Sequence, residues 1–193
     1  MALILASTSA IRRHMLDAAG VEHEAVGSAV DEAAIKAKHS DPSTLTTELS
    51  QAKALAVSRL SGDAWVIGGD SVVSVDGRLF DKPSSREDAA AHLRVFSGQT
   101  LQLTSAVSLA CDGSVDWSHA ETARLHVRAL SEAFIQAYID AEWPEVGYCV
   151  GVFRLEGRGV QLFERIDGDY FAILGMPLLP LLGALRERGV VSA

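Results

Sequence analysis

The chain has 193 residues, of which 48% are hydrophobic and 22% charged, and its formal net charge is -8. Such a length suits one domain with a substantial core, and the composition excludes a disordered chain. The negative charge argues against a general nucleic-acid or membrane-surface binder, each of which needs a basic face, so an anionic ligand would require a local cationic pocket.

Met1 to Ala6 is too short for a signal-peptide core and no apolar run reaches membrane-spanning length, so a cytoplasmic protein is expected. Cys111 and Cys149 have no CxxC spacing and no ligand-spaced histidine cluster, which predicts reduced structural thiols.

Leu3 to Leu5 reads as a strand buried on both faces, followed by Ser7 and Ser9 in a turn. Ser9 is a natural N-cap for a helix carrying Ile11, Met15, Leu16 and Ala19 and stopped by Gly20. Arg12 and Arg13 fall in its first turn, where the helix dipole disfavours cations unless an anion lies between them and the exposed amides. Val21 to Val30 reads as extended and ends in the acid pair Asp31 and Glu32, a pattern also typical of a solvated loop.

Asp41-Pro42 starts a helix that runs through Leu45, Leu49, Ala52, Ala56 and Leu60 to Ser61-Gly62, with Lys53 in its middle. Trp65 to Val75 is the most strand-like segment, and Asp76-Gly77 predicts a hairpin into Arg78 to Phe80. Within it Gly68 and Gly69 weaken a strand and suggest that a ligand approaches the backbone beside Asp70. After the loop Asp81-Lys82-Pro83, Ser84 with Glu87 reads as a capping box for a helix ended by Ser97-Gly98.

Gln99 to Ala110 and Val115 to Val127 read as antiparallel strands joined through Asp112-Gly113. Ser131 caps a helix that ends before Trp143-Pro144, and Gly147 to Arg158 is a loop holding Tyr148, Cys149, Arg154 and Glu156. Val160 to Ile166 is expected as a strand, 167–170 as a turn, and Pro177 opens a last helix stopped by Gly189. Neither a repeat nor a linker interrupts the chain, and early strand-helix alternation followed by a strand pair predicts a mixed-sheet α/β fold.

Arg12, Lys53 and Lys82 can hold phosphate, while Asp31, Glu32 and Asp70 can hold a divalent ion or activate water. Together they are the parts for hydrolysis of a phosphoanhydride. Asp70 is the expected base, because an apolar, glycine-lined setting would raise its proton affinity or fix it against a metal. GxxxxGK[ST], GxGxxG after a strand and GxSxG are all missing, which removes Walker-type, dinucleotide and serine-hydrolase readings. None of the six histidines has metal spacing, and Cys149 lacks a histidine partner.

The set Leu-Ala-Ser-Thr-Ser-Ala-Ile-Arg-Arg (5–13), Val30-Asp31-Glu32, Ala52-Lys53-Ala54, Ile67-Gly-Gly-Asp-Ser71, Asp81-Lys82-Pro83, Phe96-Ser97-Gly98, Glu156-Gly157, and Ile166 to Tyr170 followed by Leu174-Gly-Met-Pro-Leu178 resembles the Maf (septum formation) family in order and spacing over nearly the whole chain. The resemblance implies a nucleoside triphosphate pyrophosphatase, a hydrolase of nucleotide metabolism that yields a monophosphate and pyrophosphate with Mg²⁺ or Mn²⁺. It also implies one Maf-like domain over residues 1–193. Its architecture would be Maf/ITPase-like, an elongated mixed sheet flanked by helices with a substrate cleft between two lobes, frequently as a homodimer.

By the same resemblance Asp70 is the proton acceptor, Arg12, Lys53 and Lys82 act with it on the phosphates, and Glu32 and Asp70 hold the metal. Ser7, Ser9 and Arg13 belong to the N-terminal substrate-binding motif, and Ile11, Ser71 and Glu156 occupy the base-selecting positions. The pyrimidine branch, acting on dTTP and UTP, typically has Arg, Thr and Gln there. Phe153-Arg-Leu-Glu-Gly157, apolar Ile11 and Leu162-Phe-Glu-Arg165 resemble instead the branch acting on 7-methyl-GTP. The chain departs from the usual pattern at Ala10, Gly69, Ser71 and Val150.

A carboxylate at Glu156 suits the cationic 7-methylguanine ring and its N1 and N2 hydrogens. The rival expectations are a dTTP/UTP pyrophosphatase, a non-catalytic nucleotide sensor that regulates division, and a phosphomonoesterase with Asp70 as nucleophile. The cellular role would be house-cleaning of modified nucleotides or division arrest.

Overall fold

The structure is a computed structural model that describes residues 2–192. Its elements in order are β1 (Leu3–Leu5), α1 (Ala10–Ala18), β2 (Glu24–Ala25), α2 (Glu32–Lys36), α3 (Pro42–Ser58), β3 (Trp65–Val75), β4 (Arg78–Phe80) and α4 (Arg86–Phe96). There follow β5 (Thr100–Cys111), β6 (Ser114–Val127), α5 (Glu132–Glu142), β7 (Phe163–Asp167), α6 (Tyr170–Ile173) and α7 (Leu178–Glu187). The strands form one seven-stranded sheet in the order β2-β1-β3-β5-β6-β7, with β4 paired to β3. It is mixed, β1 running parallel to β2 and β3 while β4 is antiparallel to β3 and β7 to β6.

The expected mixed-sheet α/β class is therefore what the chain forms. None of the described helices is long and apolar enough to cross a membrane.

The chain divides into two compact units. The first, residues 1–71, 104–121 and 169–193, has a layer on each face of its strands. Leu3, Leu5 and Ile67 pack with Met15 and Leu16 of α1 and Leu178, Leu181 and Leu185 of α7. Ile4, Ala6 and Val66 pack with Ala54 and Val57 of α3 on the other face. Alternation along a pleated strand produces this split, and β1 is apolar at every position because both of its faces are covered.

The second unit, 72–103 and 122–168, packs α4 and α5 beside the remaining strands. Phe80 of β4 meets Phe96 of α4 edge to face at a centroid distance of 4.9 Å. Both Asp-Gly pairs form the predicted turns. Asp76 and Gly77 have φ of 48° and 80°, and Asp112 and Gly113 have 49° and 71°, the left-handed pair that a two-residue hairpin requires.

Several expectations need correction. Val21 to Val30 is extended as a strand only at Glu24–Ala25, and the acid pair opens α2 instead of lying in a loop, because the Asp31 carboxylate accepts from the Ala34 amide at 3.1 Å. The helix after Lys82 is capped by Ser85 rather than Ser84. Ser85 accepts from the Asp88 amide, and Asp88 reaches back to the Ser84 amide at 2.8 Å. Val160 lies in a 3-10 turn spanning Arg158–Leu162, so the last strand begins at Phe163. Asp169 caps the short helix α6 where only a turn was expected.

Ser85→Ala should destabilise the protein by about 1 kcal/mol, the usual cost of a lost N-cap, measurable as a lowered urea midpoint with unchanged slope. An unchanged midpoint would place the cap elsewhere.

Candidate active site

Strand β3 organises the first unit's polar centre. Because its side chains alternate, Val66, Gly68 and Asp70 face α3, whereas Ile67, Gly69 and Ser71 face α1 and the turn at Gly175. On the α3 side a Cβ at Gly68 would stand 2.0 Å from the Ser50 carbonyl oxygen and 2.7 Å from the Ala54 nitrogen. On the other side a Cβ at Gly69 would stand 3.3 Å from Arg12 Nε. The two glycines therefore admit a helix backbone and an arginine side chain. The ligand expected against them is replaced by the protein itself.

Close packing of α3 brings Lys53 to Asp70. Leu45, Leu49, Lys53 and Val57 follow one another at four-residue intervals and all are buried, while Leu60 is 88% exposed beyond the helix end. The expected stripe through Ala52, Ala56 and Leu60 is thus rotated so that Lys53 lies on it. Its ammonium donates to Asp70 Oδ1 at 2.5 Å and lies 2.8 Å from Glu32 Oε1 at the start of α2. Asp70 is therefore in an ion pair, in contrast to the apolar setting expected of it.

Arg12 forms a second centre. Nε donates to the Gly175 carbonyl at 2.8 Å and Nη2 to Ser71 Oγ at 3.1 Å, while Ser71 Oγ also pairs with Ser105 Oγ at 2.8 Å. Burial draws the Arg12 pKa down, and the negative charges of Asp70 and Glu32 oppose that shift. A guanidinium held by neutral oxygens near two carboxylates is fixed in direction and retains an attraction for anions. Gly175, at φ 107°, belongs to the Leu174-Gly-Met-Pro-Leu178 stretch, and its carbonyl aims the arginine.

Ser7 and Ser9 build the turn into α1. The Ser9 amide donates to Ser7 Oγ at 3.1 Å, and Ser9 Oγ caps the helix by accepting from the Arg12 amide at 3.5 Å. Ile11 is half-buried and Arg13 exposed on α1. The structure thus brings Glu32, Lys53 and Asp70 together, and Arg12 with Ser71.

Lys82 and Glu156 belong to the second unit, where both are exposed. Glu156 Oε1 lies 3.5 Å from Arg154 Nε, a partner that the sequence reading did not identify. Burial and the nearby Glu156 push the Cys149 thiol up to about 11, against the pull of Arg154 and Lys82, so it is a poor nucleophile at neutral pH.

Glu32 and Asp70 converge on one positive nitrogen. Hard carboxylate oxygens around a cation match the donor chemistry of Mg²⁺ or Mn²⁺, which commonly take one or two protein carboxylates and complete their shell with phosphate and water. The donor set fits such an ion.

Residues 2–188 match the family described as Maf-like protein. The chain is 44% identical over 195 residues to a 7-methyl-GTP pyrophosphatase of Rhizobium meliloti (strain 1021), covering 99% of this chain and 98% of the relative. It is 46% identical over 196 residues to a nucleoside triphosphate pyrophosphatase of Granulibacter bethesdensis, covering both in full. A more distant likeness is to the crystal structure of a nucleoside-triphosphatase / dITP/XTP pyrophosphatase from Mycobacterium abscessus, with a TM-score of 0.42, 17% identity and coverage of 66% of this chain and 73% of that one. Identity of this level over nearly the whole length, with the family model matching residues 2–188, makes the chain a member of the Maf-like protein family.

Proposed function

We propose that the protein is a nucleoside triphosphate pyrophosphatase that hydrolyses the bond between the α- and β-phosphates, with 7-methyl-GTP or another modified nucleotide as substrate. The observation that carries the reading is Lys53 held between Asp70 and Glu32, beside an oriented Arg12. Full-length similarity to proteins named for this activity supports it.

Asp70 takes a proton from the attacking water as the new oxygen–phosphorus bond forms at the α-phosphorus. The bridging P–O bond breaks, and pyrophosphate leaves with the electron pair. Lys53 fixes the Asp70 carboxylate through Oδ1 and offers its ammonium to the incoming phosphates. Arg12 neutralises the leaving pyrophosphate, and Ser7, Ser9 and Arg13 receive the triphosphate at the start of α1; Lys82 keeps the phosphate role that the family resemblance implies for it. Mg²⁺ or Mn²⁺, held by Glu32 and Asp70 when bound, supplies further charge neutralisation on the phosphate oxygens.

Glu156 selects the base by accepting N–H hydrogens from a positively charged purine, and Ile11 and Ser71 complete the base-selecting set. A cytoplasmic location, a homodimer and a house-cleaning role belong to the same proposal.

A product-resolved screen of methylated and canonical triphosphates tests it. The expected products are a monophosphate and pyrophosphate, with kcat/KM for 7-methyl-GTP exceeding that for UTP or dTTP by on the order of tenfold or more. A preference for UTP or dTTP would overturn the role of Glu156. Orthophosphate as product would indicate a phosphomonoesterase, and nucleotide binding without pyrophosphate release in saturating Mn²⁺ a sensor.

A further inference from the structure

Glu142 closes α5 with a carboxylate, the unfavourable sign for a helix C-terminus, and its side chain is only 10% exposed. Oε1 lies 3.9 Å from Arg158 Nε, while Oε2 is buried and has no hydrogen-bond partner among the described residues. An unpartnered buried carboxylate oxygen is costly and calls for a structural or functional reason.

Its neighbour supplies one. A Cβ built on Gly157 would stand 3.6 Å from Oε2, so Glu142 abuts the backbone directly after Glu156. The segment it touches is a closed turn. The Gly157 amide donates to the Arg154 carbonyl at 3.1 Å, and a Cβ on Gly159 would stand 2.5 Å from that same oxygen. Glu156 is exposed on this turn with Arg154 beside it, and Glu142 lies against Gly157 through Oε2 while Oε1 attracts Arg158 of the same turn.

We propose that Glu142 is a positioning residue for base selection. It braces residues 154–159 through Gly157 and Arg158 and thereby sets where the Glu156 carboxylate is presented. This rests on the reading of Glu156 as the base-selecting group. Removing the charge while keeping the shape releases Arg158 and lets the turn shift, so discrimination between bases falls while phosphate chemistry continues.

The experiment measures kcat and KM for 7-methyl-GTP and dTTP in Glu142→Gln, Glu156→Gln and the double variant, with thermal melting of each. Glu142→Gln is expected to lower the ratio of the two kcat/KM values about tenfold through KM for 7-methyl-GTP, with kcat little changed. The double variant should lose no more than Glu156→Gln alone, because both act through one contact. Equal losses on both substrates, or additive effects in the double variant, would overturn the proposal. If Glu156→Gln leaves the ratio unchanged, the base-selecting reading fails and this proposal with it. A ratio lost in Glu156→Gln but kept in Glu142→Gln refutes Glu142 alone. Should Glu142→Gln melt too low to assay, Arg158→Gln removes the same attraction from its exposed partner and should produce the same loss of ratio; an unchanged ratio there counts against the brace.

Discussion

Asp70→Asn is expected to reduce kcat by roughly 10²- to 10⁴-fold, the contribution of a positioned proton acceptor, while the protein stays folded. The substitution keeps the size of the side chain and its place on β3, and an amide oxygen can still accept from Lys53. Proton affinity and negative charge are what it removes. Breaking a buried ion pair outright commonly costs about 3–5 kcal/mol because one charge is left uncompensated. Here Glu32 remains 2.8 Å from Lys53 Nζ and keeps that ammonium paired, so the stability loss should be a fraction of that figure. Pyrophosphate release by purified variant, alongside circular dichroism and a melting curve, checks both halves. Full turnover in a folded Asp70→Asn protein would remove Asp70 from the mechanism.

How far the site could be read from the sequence depends on how local each cause is. The Ser9 cap, the Asp41-Pro42 helix start and the two Asp-Gly hairpins are set by a few adjacent residues, and the fold follows them. Helix α2 escaped because it has five residues and no buried stripe, leaving the Asp31 cap as its only signal. Lys53 carried a readable signal, four residues after Leu49 and four before Val57, which puts a lysine on the buried stripe of α3. Its ion pairs depend on how α3 lies on β3.

Gly68 and Gly69 marked a close approach correctly, but a local pattern cannot say whether a ligand or another part of the chain fills the space. Lys82 and Glu156 sit in loops without periodicity; Lys82 is readable only as a cation beside a loop proline, and the role of Glu156 comes from motif resemblance alone. Glu142 was hidden because a glutamate at a helix end normally lies in solvent.

Gly68→Ala should be among the most destabilising single-methyl changes the chain can suffer. The added carbon would fall 2.0 Å from the Ser50 carbonyl oxygen and 2.7 Å from the Ala54 nitrogen, both backbone atoms of one helix turn. A flexible side chain could swing away, whereas here α3 must move as a body off β3. Overpacking typically costs 1–3 kcal/mol, and a clash against backbone belongs at the top of that range, about 3 kcal/mol. For a chain of this size that corresponds to a melting temperature lower by roughly 6–12 °C.

Lys53 lies between Ser50 and Ala54, so the same displacement draws its ammonium from Asp70, and activity should fall in the fraction that remains folded. Gly183→Ala in α7 is the control: nothing lies within 4 Å of the new carbon, and replacing a helical glycine by alanine should be neutral or stabilising by up to about 1 kcal/mol. Melting curves of the two variants side by side settle the matter. Equal melting temperatures would mean that α3 does not press on β3 at Gly68, and the positioning of Lys53 would then require another cause.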